Sequence, residues 1–502
     1  MKCSFYREKW ASLNARNAAD HEYSRLSRQI AYSFMDAYLR DSRYESDVID
    51  LLCEMTTSAD KPGVNIIASR ALFGIIIESL CDEFEDLQTD TYNRVMSQVI
   101  DFCRNLPSGA ELDHRLKAFE IYSQNDLLER INRIRTDGLT LKRQRHVKKI
   151  LLLSRVTIGA DVAITSIIVQ RMSLFFPQAE IVLIGDSKLE EIYGGNASLK
   201  IRNVPYDREG GLLERLSSWQ LVLKTVQEEL TSCPLKNTIL IDPDSRLSQL
   251  GVLPIIHQDH YCFFDSRSHK SYDSNMSMAE LTNAWIDRVT GETDLHCPRV
   301  WLHPSNVQKA TIFCDKLKRN GARHIIAINF GVGGNPRKKV GRHFEQNLLL
   351  SLLQEPQTVI VLDKGFGKEE LTYADSLINA VKEQGFSVQS APFSPDFKAE
   401  LNWGVVGLQT RIGEIASIIA KCDEFIGYDS ACQHIAAALE TPCLTIFAGS
   451  NNRRFIRRWS AFGKNSSNIV HVDTLTNPTS IDADDIISRI MNERHIKPHA
   501  IT

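Results

Sequence analysis

The segment from Glu424 to Gly449 reads EFIGYDSACQHIAAALETPCLTIFAG and constrains the fold more than any other part of the chain. Its apolar start stops at Asp429, and strong helix formers follow, so the pattern predicts a strand, a turn, a helix and a second strand. We expect Ser430 to be the helix N-cap and Gln433 to complete a capping box. Backbone N–H groups at such a helix start favour a bound anion. Taken alone, such a pattern is more often a structural cap followed by a core histidine, here His434.

The Asp-Ser pair, the histidine four residues after the serine, and the following AAAL, Thr-Pro and Phe-x-Gly residues resemble glycosyltransferase family 9. This is the family of the ADP-heptose:lipopolysaccharide heptosyltransferases. The resemblance implies a GT-B fold, in which two Rossmann-like domains face a cleft. It also implies that Asp429, Ser430 and His434 line the donor nucleotide-sugar pocket. Family members usually carry glycine after the Asp-Ser or Asp-Thr pair, where this chain has Ala431.

A second match begins with KKILLLSR at residues 148–155, an apolar strand followed by a helix and a further strand at Ile181–Ile184. This is a βαβ opening. In the family, a Gly-Asp turn follows the first strand, and its Asp is the proposed general base that deprotonates the acceptor hydroxyl. Here the turn is Gly159-Ala160-Asp161, one residue longer, and the resemblance assigns the catalytic role to Asp161. A carboxylate needs desolvation or positioning for this role, so we expect Asp161 between the domains; the alternative is a helix cap.

The third match is the loop after the predicted strand Ile325–Phe330. Its glycines allow close approach to a ligand, and its cations suit the diphosphate that leaves during glycosyl transfer. The family uses one lysine here, usually followed by Trp-Pro, but this chain has Val340-Gly341, so three cations stay open as candidates. A solvated basic turn is the alternative. The donor-binding candidates in this loop are Gly331, Gly333, Gly334, Asn335, Arg337, Lys338 and Lys339.

Two further features bear on the donor. In the family an acidic residue after the next strand, here Thr358–Asp363, contacts the nucleotide ribose, and Glu369 is the candidate, with Glu370 as the alternative. Both could equally be acids favoured by the helix dipole in a first turn.

Beyond Gly449, a run of four arginines could reach a phosphate or an anionic acceptor, although such a run is more often a solvated face. The run comprises Arg453, Arg454, Arg457 and Arg458.

Polar clusters follow two strands of the first predicted sheet, in the stretches 242–246 and 265–267. Ligands bind at the carboxyl ends of strands in doubly wound folds. The first domain of a GT-B enzyme holds the acceptor, so Asp244, Arg246 and Arg267 are acceptor-binding candidates. Turns with local ion pairs are the alternative. The Asp-Pro-Asp triplet at 242–244 spells a metal-binding DxD motif but lies in the wrong domain for the donor, and we expect no metal and no cofactor.

The organisation is α/β, with an all-α domain preceding the GT-B fold. We predict a helical N-terminal domain at 1–145, a Rossmann-like acceptor domain at 146–300, a linker helix at 301–322 and a Rossmann-like donor domain at 323–475. A closing helix and tail at 476–502 is expected to return to the first domain. The helical domain lies outside the resemblance, and oligomerisation, acceptor docking and stabilisation are all open roles for it. Its predicted helices are Ala19–Leu39, Glu45–Thr57, Ile66–Phe84, Thr91–Leu106, Leu112–Ile121 and Asn125–Ile134.

Composition excludes several classes. The formal net charge of −3 argues against a general nucleic-acid binder. The eleven cysteines include no Cys-x-x-Cys pair, so neither a disulfide scaffold nor a zinc site is indicated. The charged N-terminus and the lack of long uninterrupted apolar runs predict no signal peptide or membrane span. We therefore expect a cytoplasmic protein, with peripheral association with the inner membrane left open.

These patterns and the resemblance together predict an inverting, metal-independent glycosyltransferase. The resemblance suggests ADP-heptose as donor and a saccharide such as the lipopolysaccharide core as acceptor, which could be membrane-associated. The alternatives are another nucleotide sugar with a protein or other glycan as acceptor, a sugar-nucleotide epimerase of the same fold, and an inactive GT-B scaffold. No nucleic-acid partner is expected.

Overall fold

The computed structural model describes residues 3–495 except 59–61, 82–83, 145, 208–209, 268–272, 274, 334, 395–396, 398 and 477–480. The described N-terminal part is helical. Its α-helices are α1 Cys3–Ala15, α2 Asp20–Asp41, α3 Ser46–Thr56, α4 Pro62–Ala71, α5 Asp86–Arg104, α6 Ala110–Ala118 and α7 Gln124–Thr136. A π-helical stretch, Leu72–Ile77, and a short 3-10 turn, Glu78–Leu80, extend α4.

The first sheet has five parallel strands in the order β3-β2-β1-β4-β5. Crossover helices join the first four strands, as is usual in a parallel sheet, whereas the connection from β4 to β5 contains only the 3-10 turns Arg246–Ser248 and Gln258–His260. The strands are β1 Lys149–Leu153, β2 Glu180–Gly185, β3 Leu199–Asn203, β4 Thr238–Asp242 and β5 Tyr261–Phe263. The helices are α8 Ile158–Ala160, α9 Ser166–Phe175, α10 Leu189–Tyr193, α11 Leu212–Ser232 and α12 Met278–Thr290.

The linker helix α13, Pro304–Arg319, leads to a second sheet of seven parallel strands in the order β12-β11-β10-β6-β7-β9-β8. The strand order reverses around β6, so the loops after β6 and β10 lie at a topological switch point, where such sheets bind ligands. The strands are β6 His324–Asn329, β7 Thr358–Asp363, β8 Ser387–Pro392, β9 Gly404–Gln409, β10 Glu424–Tyr428, β11 Cys443–Ala448 and β12 Ser467–Val472. The helices are α14 Arg342–Leu352, α15 Lys368–Glu383, α16 Ile412–Ile419, α17 Ala431–Ala438, α18 Arg453–Arg458 and α19 Ala483–His495.

Alternate residues of each strand enter different cores, as the two-residue period of a strand requires. In the first sheet, Leu151 and Leu153 pack with the helical domain, whereas Ile150 and Leu152 face a middle core. That middle core continues without a break into one face of the second sheet, and the third core lies on that sheet's other face. The two sheets are therefore joined by a shared apolar core, and the helical domain and α11 together cover the outer face of the first sheet.

The closing helix differs from the prediction. Instead of returning to the first domain, α19 packs against α14 and β12 of the second sheet. Arg494 near its end pairs with Glu355 at 2.9 Å and also with Glu424 at the start of β10. These contacts hold the helix on the domain it follows.

Two helical stretches among the described residues, Gly63–Leu80 and Ile158–Phe175, are long and apolar enough to cross a membrane by length and composition alone. Half of the first and 67% of the second is buried inside the protein. Their apolar residues, such as Leu72 and Ile167, belong to the cores described above. Burial of this kind is what core helices show.

Candidate active site between the two sheets

Asp161 lies just beyond the carboxyl end of β1, in the first helical turns after the strand. Its side chain is buried and accepts hydrogen bonds from Ser154 Oγ at 2.7 Å, Arg155 N at 2.7 Å and Thr165 Oγ1 at 2.8 Å. The helix begins after Thr157, so Asp161 is inside the helix and is not its cap. Residues 161–165 form a π-helical turn, which accommodates one residue more than an α-turn and absorbs the extra residue of the Gly-Ala-Asp motif.

Burial raises the pKa of Asp161 to about 6, against the opposing effect of its three hydrogen bonds and of the nearby Arg155 guanidinium. Desolvation disfavours the charged form of a carboxyl group. A carboxylate in such a place is a better base than an exposed aspartate, because its proton affinity is closer to that needed at neutral pH. Asp161 therefore has the environment expected of a general base.

Asp161 is one of the residues that line a cavity of about 210 Å³ at the carboxyl edge of the first sheet. Val156, also in its wall, has a φ of +76°, which a β-branched residue adopts only under strain. Its N–H donates to Ser154 Oγ at 2.8 Å, so the serine ties the strained turn to Asp161. Strained backbone that the surroundings hold in place is typical of functional sites. The cavity is lined by Ser154, Val156, Ile158, Asp161, Asp186, Lys188, Leu189 and Tyr206.

The opposite side of the site is the start of α17 in the second domain. Asp429 is buried; its Oδ1 accepts from Gln433 Nε2 at 2.7 Å, and its Oδ2 pairs with Lys338 Nζ. The predicted capping box is wrong, because Ser430 makes no side-chain cap bond and Gln433 is held by Asp429 and by the Trp459 carbonyl at 3.2 Å. The buried Ser430 Oγ has no hydrogen-bond partner among the described residues.

The two sides meet at Gly159. A Cβ on this residue would lie 3.2 Å from both Ala431 Cα and His434 Cδ2, so α8 and α17 pack backbone against backbone. Burial lowers the pKa of His434 to about 4, so its ring is neutral near pH 7, and it packs edge-on against Trp459 with ring centroids 6.1 Å apart. Asp161 follows two residues after this contact between the two domains.

The loop after β6 presents its three cations differently. Lys338 points to Asp429 as described, whereas Lys339 lies over the Tyr373 ring, 4.5 Å from its centroid, and Arg337 is exposed. Asn335 Oδ1 accepts from Arg337 N at 3.2 Å and so shapes the turn. The structure thus places Lys338 at the candidate donor site and its two neighbours elsewhere.

The loop glycines have separate roles. Gly331 N donates to Asn329 Oδ1 at 2.9 Å, and Gly333 has a φ of +59°, a conformation that glycine adopts without strain. Gly334 lies outside the described residues. Across the loop, a Cβ on Gly449 would lie 2.7 Å from the Arg337 carbonyl, so this glycine lets the β11 turn approach the loop closely.

A polar network at the ends of β6, β7 and β9 was not predicted as part of the site. Asp363 accepts from Asn329 Nδ2 at 2.6 Å, from Thr410 Oγ1 at 3.0 Å and from Gly365 N at 3.2 Å, and burial raises its pKa. Asp363 is the last residue of its strand, so the strand-end rule could have identified it. Nearby, Glu369 is exposed, and Glu370 accepts from Phe366 N at 2.7 Å as a local helix cap.

The predicted acceptor residues lie close to the end of β1, where Arg155 Nη1 donates to the Asp244 carbonyl at 2.6 Å, and they also contact the helical domain. Asp244 and Arg267 are buried and paired, with Arg267 Nε donating to Asp244 Oδ2 at 3.0 Å. The Arg267 guanidinium also lies 4.8 Å from the centre of the Tyr92 ring of α5, and Arg246 pairs with Glu78 at 3.1 Å. These side chains therefore join the helical domain to the first sheet. The acceptor-binding role of Asp244, Arg246 and Arg267 stays a prediction.

Two parallel sheets facing a shared cleft, with a buried carboxylate on one side and a cation at a helix start on the other, define the GT-B class of glycosyltransferase. The model of the family described as glycosyltransferase family 9 (heptosyltransferase) matches residues 397–480, from the approach to β9 to beyond β12. This match covers about a sixth of the chain and agrees with the resemblance to family 9 found in the sequence. A search of curated proteins by sequence finds no match.

Similar solved structures include the family 9 glycosyl transferase from Veillonella parvula, at 14% identity, covering 69% of this chain and 96% of that one, with a TM-score of 0.49. E. coli ADP-heptose lps heptosyltransferase II is similar at 14% identity, with 68% and 98% covered and a TM-score of 0.45. Anabaena Alr3699/HepE, in complex with UDP and glucose, is 14% identical, with 69% and 90% covered and a TM-score of 0.33.

Proposed function

We propose that this enzyme transfers a sugar, heptose or one similar to it, from a nucleoside diphosphate sugar to a hydroxyl group of a saccharide held in the cavity beside Asp161, with inversion at the anomeric carbon. The observation that carries the proposal is the position of Asp161, which lines that cavity and lies two residues from the contact between Gly159 and His434. A base on the acceptor side and a cation on the donor side are the two groups that such a transfer requires.

In the proposed reaction, the Asp161 carboxylate takes the proton of the acceptor hydroxyl group. The acceptor oxygen then attacks the anomeric carbon from the face opposite the leaving diphosphate, one C–O bond forming as the other breaks. The electron pair of the broken bond stays on the diphosphate. Lys338 and the N-terminus of α17 offset this negative charge. Fixed positive groups contribute most to the rate where charge develops in the transition state.

Lys338 is our choice for the diphosphate cation because of its pairing with Asp429. That pair keeps the ammonium group at the helix start. Ser430, whose buried hydroxyl has no partner among the described residues, adds a donor at the same place. A phosphate oxygen bound there would satisfy both groups.

The acceptor side favours a small polar group. At about 210 Å³ the cavity is below the usual range of 300–1,000 Å³ for ligand pockets, which suits one sugar unit of a longer acceptor. Asp186 and Lys188 offer hydrogen bonds of both kinds, and the Tyr206 ring offers an apolar face for a sugar. The resemblance to the family suggests ADP-heptose as the donor and a lipopolysaccharide-type saccharide as the acceptor. All eleven cysteines are free, which supports a cytoplasmic location.

The test is thermal stabilisation by ADP, UDP, GDP and CDP and by their sugars, with and without a chelator. A ligand at a hundred times its Kd adds about 2.7 kcal/mol to stability. We expect stabilisation by ADP and ADP-heptose that survives the chelator and is lost in Lys338→Ala. Arg337→Ala, which removes an exposed cation from the same loop, is the matched control and should behave as the wild type.

Other outcomes are informative. A preference for another nucleotide would keep the reaction and change the donor, whereas release of free UDP from UDP-N-acetylhexosamine without an acceptor would indicate an epimerase. No shift with any nucleotide would refute the proposed transferase and leave a GT-B scaffold.

A further inference from the structure

Helix α18, Arg453–Arg458, lies where the helical domain meets the donor domain. Arg454 Nη1 donates to the Phe84 carbonyl at 2.8 Å and to Glu85 Oε1 at 2.6 Å. Phe84 and Glu85 directly precede α5 of the helical domain. A charge-assisted bond to a carboxylate and a second bond to a backbone carbonyl fix the helix in one position.

The same helix also contacts the acceptor domain. Arg458 is buried, and its Nη1 donates to the carbonyl oxygens of Asp273 at 2.9 Å and Met276 at 2.7 Å, just before α12. Its guanidinium group lies 6.0 Å from the centre of the Phe84 ring. One short helix of the donor domain therefore contacts both other domains.

From α18 the contacts lead directly to the candidate donor site. Trp459, the next residue, packs between Phe84 and His434, with ring centroids 6.5 and 6.1 Å away. Its carbonyl oxygen accepts from Gln433 Nε2 at 3.2 Å, and that amide also donates to Asp429 Oδ1 at 2.7 Å. Gln433 is fully buried, so it has little freedom to exchange these partners for water.

Phe84 itself is unusual. Its φ is +57°, a conformation that a bulky residue adopts only where its surroundings impose it. Its ring is buried and belongs to the middle core shared by the two sheets, whereas α1 to α7 pack in the core on the outer face of the first sheet. The Phe84 ring therefore connects the helical domain to the middle core, which Leu141 after α7 also enters.

We propose that the helical domain positions the donor site through the contacts from Phe84 to Trp459 and from Trp459 to Gln433 and Asp429. Phe84, Arg454 and Trp459 are then positioning residues for nucleotide-sugar binding. This role is more specific than stabilisation of the fold. It also differs from acceptor docking and from oligomerisation, the other two roles that the sequence left open for the helical domain.

The test compares Arg454→Ala and Phe84→Ala with the control Arg453→Ala, which removes an exposed arginine from the same helix. Hydrogen exchange of residues 429–439 is measured in the absence of ligand, with β1 as an internal reference for global stability. We expect roughly fivefold or greater acceleration at residues 429–439 in the first two variants and none in Arg453→Ala. Exchange at β1 should not change in Arg454→Ala. In Phe84→Ala it should accelerate less than at residues 429–439, because loss of a buried ring also lowers global stability. The Kd for the nucleoside diphosphate that stabilises the wild type should rise by a similar factor, and donor KM should rise while acceptor KM stays constant.

Faster exchange confined to residues 84–90 and 453–459, with 429–439 unchanged, would overturn the proposal. Equal acceleration at β1 would also overturn it, because it would show a general loss of stability. Arg454→Ala leaves the apolar core intact and provides the answer if Phe84→Ala does not fold. Because the exchange measurement needs no ligand, its result stands even if no nucleotide binds and the proposed transferase activity fails.

Discussion

Replacing Asp161 with asparagine should stabilise the protein at neutral pH while removing its activity. The pKa of this carboxyl group moves from an ordinary 3.8 to about 6 on folding. At about 1.4 kcal/mol for each pH unit, ionised Asp161 makes the folded state about 3 kcal/mol less stable than it would be with a neutral group. Asparagine keeps an oxygen for Arg155 N and Thr165 Oγ1, and its amide group can donate to Ser154 Oγ.

The sign of the pH dependence follows from the raised pKa. Because the protonated form is favoured in the folded state, its contribution to stability is complete below pH 3.8 and is lost as the pH rises through 6. The advantage of Asp161→Asn should therefore grow with pH, reach a plateau above pH 7, and increase by about 1 kcal/mol between pH 5 and 7.

Urea unfolding of the wild type and the variant across that range measures the difference. In parallel, kcat/KM of the wild type should rise through pH 6 and level off, and the variant should lose roughly 10²- to 10⁴-fold in rate. A stability difference that does not change with pH would refute the argument that burial of an ionised carboxylate is what makes Asp161 a base.

Two further changes test the packing around the site. Gly159→Ala places a Cβ 3.2 Å from Ala431 and His434 and should move α8 and α17 apart by a few tenths of an ångström. We expect kcat to fall about tenfold, with little change in Tm. An unchanged kcat would show that the contact does not set the catalytic geometry. Arg267→Ala removes one of the two guanidinium groups that face the buried Asp244 carboxylate, leaving Arg155 at 3.4 Å, and should cost about 3 kcal/mol in urea unfolding. An Arg267→Met, Asp244→Asn double variant should recover most of the loss. A large rise in acceptor KM with normal stability would instead support the acceptor role predicted from the sequence.

The sequence predicted the parts of the site that depend on local pattern. Each candidate strand is an apolar run that stops at a glycine or a polar residue. Strands β1 and β10 coincide with two of these runs and end where the runs end. Asp161 and Asp429 follow these ends, and the parallel sheets place both residues at the cleft. The extra residue before Asp161 could not be interpreted from sequence, because a π-helical turn and an altered loop would have the same pattern.

What the sequence could not report is packing between distant segments. Asp244 and Arg267 also follow strand ends, but the helical domain covers that part of the sheet, and no local pattern reports what lies above a strand. Gln433 has the spacing of a capping residue, yet Asp429 and Trp459 provide stronger partners for its amide group. Helix α1 was not predicted, since Tyr6 is the one fully buried residue within it and its apolar period is correspondingly weak.

The apolar core that joins α1–α7 to the outer face of the first sheet imposes an order of events during synthesis. Helices α1–α7 end at Thr136, whereas β5, the last strand of the first sheet, ends at Phe263. The ribosome must therefore add about 130 more residues before the sheet that these helices cover is complete. At 5–20 residues per second, these helices wait roughly 6–26 s with the faces that will meet the sheet exposed. Nascent chains of this protein should therefore depend on chaperones that bind apolar helices, and a pause in translation after residue 136 should lower the yield of folded enzyme.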